Sequence, residues 1–99
     1  MSHEVKHTVQ DMLRNAATVY EKKNLEYGNT YKRTGAVIQE MFGEDPPLLE
    51  TAEDYNRFAI LAMIAGKLTR YATNFNHTGH EDSLIDISVY AQMLRELDK

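Results

Sequence analysis

Ninety-nine residues, 42% of them apolar, with no cysteine and a formal net charge of −4, describe one small domain. The missing cysteines exclude disulfides and thiolate metal sites and fit a reducing cytoplasm, while the acidic balance argues against a duplex nucleic-acid binder held by phosphate contacts. The longest apolar run, FAILAMIAG, is nine residues, far short of the roughly 20 a membrane-spanning helix needs, and MSHEVKHTVQ has no apolar block of the signal-peptide kind.

The first helix is expected over residues 2–26, with Ser2 as its cap. Val5, Val9, Met12, Ala16, Val19 and Tyr20 recur at spacings of three and four and make one apolar stripe. Gly28 and Asn29 are a stop signal. A connection, EYGNTYKRTG, leads to a short helix over 36–42 that Gly43 ends. GEDPPLLE is a loop, because each proline restricts the residue before it away from the helical region. The third helix opens at Thr51, whose pairing with Asp54 resembles a capping box, and runs to about residue 73. From 58 to 65 it is apolar nearly all round, which predicts a central buried element. NFNHTGH is a polar loop, and Thr78 with Glu81 predicts a second capping box that starts the last helix, ending near Leu97. No strand pattern or repeat is present. The expectation is an all-α helical bundle of three long helices and one short one. A helix apolar on all sides needs cover that so short a chain struggles to supply, which predicts a homo-oligomer.

Three clusters carry candidate chemistry. On the last helix, Asp82 and Asp86 lie one turn apart among Leu84, Val89, Met93 and Leu97, so both carboxylates emerge from one apolar face. Such oxygen ligands suit Mg²⁺ or Mn²⁺, which also needs water and substrate phosphates. The alternatives are a helix-dipole role for Asp82 and a structural ion pair for Asp86. On the third helix, Lys67, Arg70 and Asn74 share a side and suit a phosphate, a solvated surface or pairing with Asp86. In YEKKNLEYGNTYK, Lys22, Lys23, Asn24, Glu26, Tyr27, Tyr31 and Lys32 surround Gly28. Tyrosines stack on bases and ammonium groups meet phosphates, although an ordinary helix end has the same residue types. The histidines do not cluster: His3 and His7 are one turn apart near the N-terminus, and His77 and His80 lie in a loop.

Three of these stretches together resemble a known family. EKKNLEYG resembles a K-N-x-D/E-Y-G signature, IAGKLTRY an I-x-x-K-L-x-R segment, and HEDSLIDISVYAQML an E-D-x-L-x-D segment that runs on to Tyr-Ala. That order is similar to the small phage and bacterial helical domain called nucleotide-modification-associated, itself similar to the MazG-like all-α nucleotide pyrophosphohydrolases. The resemblance covers about residues 18–96. It implies nucleotide binding with Mg²⁺, in a bacterial host cytoplasm if the chain is phage-encoded. It implies metal ligation by Asp82, Asp86 and Glu26 and phosphate contacts from Lys67 and Arg70, to which the cluster around Gly28 adds Lys23, Asn24, Tyr27 and Tyr31 as expected nucleotide contacts. The chain departs from the family in lacking an E-E-x-x-E run on its first helix and in carrying Gly66 where relatives place an acid before the central lysine. Fewer carboxylates hold fewer metals. Three readings therefore stand: a Mg²⁺-dependent nucleotide pyrophosphohydrolase, a non-catalytic binder that sequesters a nucleotide signal or escorts a modified nucleotide, and a helical protein-interaction module.

Overall fold

The computed structural model describes residues 8–98, apart from the side chains of Glu26 and Tyr27. Among the described residues there are four α-helices, one 3-10 turn and no strand. Helix α1 (Val9–Tyr27) opens under a capping box: Thr8 Oγ1 accepts the Asp11 N–H at 3.1 Å, and Asp11 accepts the Thr8 N–H at 3.3 Å. The expected cap at Ser2 and the pair His3 and His7 lie outside the described residues. Gly28 ends α1 at φ 64°, a backbone region costly for any residue with a Cβ. A 3-10 turn (Thr30–Lys32) follows. Helix α2 (Thr34–Phe42) starts two residues before the predicted position, as Thr34 Oγ1 donates to the Thr30 carbonyl at 2.9 Å and draws the chain into helix early. Gly43 ends it, and the proline loop leads to α3 (Ala52–Thr73), where the predicted Thr51–Asp54 capping box is present.

Helix α4 (Glu81–Leu97) corrects one expectation. Its cap is His80, not Thr78. Gly79 adopts φ 71° with its Cα over the Tyr71 ring, where an added Cβ would stand 3.1 Å from Cε2. This further turn leaves Thr78 behind in the loop. His80 Nδ1 then accepts the Ser83 N–H at 3.2 Å and lies 2.6 Å from Ser83 Oγ, so the fully buried serine is satisfied.

Helices α3 and α4 form an antiparallel pair. Lys67 meets Asp86 near one end, and Arg57 meets Asp98 at 3.7 Å near the other. Helix α2 lies on α3, with Phe42 and Phe58 stacked at 6.2 Å between ring centroids. The 3-10 turn docks on α3 through hydroxyls and methyls. Thr30 is buried, the Thr34 and Thr69 hydroxyls are 3.3 Å apart, and Gly28 approaches the Thr73 methyl.

Helix α1 stands clear of this assembly. Residues 8–23 are all exposed, including Val9, Met12, Leu13 and Val19. The radius of gyration is 17.9 Å, against about 13 Å for a compact domain of this length. The expectation that 58–65 is buried is corrected with it. Within one chain only Ala65 of that stretch is buried, and Met63 is 47% exposed. The predicted helices form, but one chain does not close them into a bundle around a covered α3.

Candidate functional site

The root of α1, the turn after it and one face of α3 enclose a cleft of about 170 Å³. Lys23, Asn24, Tyr31 and Arg70 line it, together with Tyr20, Gly28 and Thr30. Arg70 is 39 residues or more from every other lining residue in sequence. Folding brings it there because the threonine contacts press the 3-10 turn onto α3 beside Thr69 and Thr73. Helical periodicity puts Tyr20, Lys23 and Asn24 on one side of α1, three and four residues apart.

Two contacts set the shape of the cleft. Tyr20 and Tyr31 meet edge to face, with centroids 6.4 Å apart and hydroxyls at 3.3 Å. The hydrogen bond with Tyr31 is the chief reason the Tyr20 phenol is held above its ordinary value of 10.0, and Lys32 acts in the opposite direction. Asn24 uses its amide as a staple, donating to the Gly28 carbonyl at 3.1 Å and to Asn29 Oδ1 at 2.9 Å. An asparagine amide has two hydrogens and both are spent within the turn. Asn24 therefore positions the cleft wall. Lys32 Nζ lies over the Tyr31 ring, 5.7 Å from its centroid, and adds positive charge beside the cleft.

The acidic cluster is arranged differently. Lys67 Nζ lies 2.9 Å from Asp86 Oδ2, with the lysine side chain 20% exposed and the aspartate 42% exposed. The carboxylate inside the apolar run of α4 is thus only half buried and is paired across the helix interface. Lys67 and Arg70, one turn apart on α3, divide their duties: the first crosses to α4 and the second lines the cleft. Asp82 is exposed. The Glu26 and Tyr27 side chains, expected to serve metal and nucleotide, lie outside the described side chains. Among the described residues no group of three His, Asp or Glu side chains converges as a metal centre. Of the three expected Mg²⁺ ligands, Asp86 is paired with Lys67, Asp82 is exposed and Glu26 lies outside the described side chains.

Gly28 is the centre of the cluster expected from the sequence, whereas Tyr20 and Thr30 are not among the expected contacts. The signal for Tyr20 was available, since it precedes Lys23 by three residues and Asn24 by four. Thr30 gave none, because its place depends on Thr69 and Thr73 far along the chain. A second, apolar groove lies elsewhere, between the proline loop and the α3–α4 pair, lined by Phe42, Leu48, Phe58, Leu61 and Leu94. Compared with known proteins, the chain matches no family model, no curated protein and no solved structure.

Proposed function

We propose that this chain binds a nucleotide in the cleft between the root of α1 and α3. The observation that carries the reading is the convergence of Lys23, Tyr31 and Arg70, two cations and an aromatic ring from three elements, on one concavity. Phosphate oxygens match the planar fork of Arg70 and the point charge of Lys23. Tyr31, braced by Tyr20 in the cleft wall, offers an aromatic ring against which a base can pack. Gly28, where α1 ends, lines the cleft without a Cβ, so backbone can approach a ligand there. The arrangement favours binding over hydrolysis, because the carboxylate most apt for metal, Asp86, is held by Lys67.

A thermal-shift panel of nucleoside mono-, di- and triphosphates, linear and cyclic, tests this in EDTA and then in Mg²⁺. A binding nucleotide at 100 times its Kd stabilises the fold by about 2.7 kcal/mol. The expected result is a shift in EDTA that Arg70→Ala abolishes. A shift that requires Mg²⁺, with pyrophosphate released, would favour hydrolysis on Asp82, Asp86 and Glu26. No shift with any nucleotide would leave a protein-interaction module.

A further inference from the structure

We infer that the exposed apolar strips of α1 and α3 are covered by a second copy of this chain, in a reciprocal dimer that closes the cleft. The last clause rests on the nucleotide reading; the dimer itself does not. Two strips converge on the same place. On α1, Val9, Met12, Leu13 and Ala16 share one face, and the helical repeat carries that face on to Tyr20 and Lys23. On α3, Tyr55, Ala59, Met63 and Gly66 fall within an arc of about 80°, and the next residue on that arc is Arg70. Tyr55 and Met63 are about half exposed, and a Cβ added at Gly66 would meet nothing within 4 Å. Tyr20, Lys23 and Arg70 all line the cleft. Whatever covers the strips therefore ends at its mouth.

Surface area identifies the occupant as large. The chain exposes 8224 Å², whereas a compact monomer of 11.4 kDa exposes about 5,800 Å². Deducting about 1,400 Å² for the eight residues outside 8–98, the most an extended chain of that length exposes, leaves an excess of about 1,000 Å². A standard interface takes about 800 Å² from each partner. The two strips also match in length: 19 residues of helix in α1 span about 28 Å and 22 in α3 about 33 Å. In a twofold dimer each α1 can lie on the other copy's α3, so both strips are covered by one repeated contact. The cleft also asks for cover. Its 170 Å³ is below the roughly 300 Å³ at which small-molecule pockets begin, so a nucleotide seated there needs a further wall.

Sedimentation equilibrium of the full chain at micromolar concentration, without nucleotide, tests the dimer. The expected mass is twice 11.4 kDa. The melting temperature of the wild type, which needs no variant, is expected to rise with protein concentration. Leu13→Glu and Met63→Glu, on the two strips and outside the cleft lining, are each expected to raise the dimer dissociation constant about tenfold or more. Circular dichroism checks that both remain helical. A wild-type monomer of 11.4 kDa overturns the proposal, as does a dimer that neither substitution weakens. A monomeric Leu13→Glu that binds nucleotide as tightly as wild type overturns the closing of the cleft. Absence of nucleotide binding by a dimeric wild type overturns the functional reading and leaves the dimer standing.

Discussion

Helices α1 and α3 are similar in length and in the way they begin, yet they differ in what holds them. Each starts at a threonine whose hydroxyl takes the N–H of an aspartate three residues on, and each aspartate returns the bond. Helix α3 is then packed by α2, α4 and the 3-10 turn. Helix α1 has its caps and its own backbone ladder, with no buried residue among its described side chains. Packing of an apolar face, more than intrinsic propensity, supplies most helical stability in proteins. Local chemistry therefore says where a helix starts and stops, and only its surroundings say how firmly it is held. In this chain the candidate cleft sits at the join between the firmly held helix and the one without cover.

The largest expected effect comes from disturbing the packed side. Ala65 is fully buried, so Ala65→Leu forces extra methyl groups into a closed contact and is expected to cost about 1–3 kcal/mol in urea unfolding. Leu25 on α1 is 90% exposed and off the apolar stripe. Leu25→Ala is expected to stay within about 0.5 kcal/mol, although it deletes most of a large apolar side chain. Equal costs would erase the contrast between the two helices.

Next in size is the pair that ties α3 to α4. Asp86→Asn leaves Lys67, whose side chain is 20% exposed, without its carboxylate. The aspartate is 42% exposed, and solvent screening discounts the loss to about 1 kcal/mol, below the 3–5 kcal/mol of a fully buried pair. Because the pair needs no metal, the cost is expected in EDTA. A variant as stable as wild type in EDTA, or more so, would mean the charge is retained for a cation and not for Lys67.

The caps sharpen the comparison further. Thr51→Ala is expected to lower global stability by about 1 kcal/mol, since α3 belongs to the packed unit. Thr8→Ala removes the equivalent hydroxyl bond from α1, the one that Oγ1 accepts from the Asp11 N–H. Its effect should appear as faster amide exchange along the first turns of α1, with exchange in α3 unchanged. The smallest effect is one of pH. Asp54 accepts N–H bonds from Thr51 and Glu50, which hold its carboxyl below the ordinary value of 3.8. Its contribution is therefore present above that value and lost as pH falls through the folded pKa. Asp54→Asn is expected to flatten the acid limb of a stability–pH curve below about pH 4, with little change in its shape at pH 7.

Much of the fold was legible because its signals are local. Gly28 and Gly43 stop helices by taking positive φ, and Thr51 with Asp54 starts one, all within four residues of sequence. The start of α4 was not legible. The Thr78 and Glu81 spacing was right, but Gly79 settling on Tyr71 is a contact with the previous helix, and it passed the cap to His80. The site divides in the same way. Lys23, Asn24 and Tyr31 were readable as a cluster around Gly28, whereas the parting of Arg70 from Lys67 depends on what each side chain meets on another element. The exposure of α1 was not readable at all, since an apolar stripe reports that a face needs cover and not which chain provides it.

Amide chemical-shift mapping on addition of a nucleoside triphosphate in EDTA shows whether the cleft beside Tyr31 and Arg70 takes a nucleotide. The largest shifts are expected at Lys23, Asn24, Gly28, Thr30, Tyr31 and Arg70. Shifts confined to Asp82 and Asp86, shifts confined to the groove around Phe42 and Phe58, or none anywhere would contradict binding in the cleft.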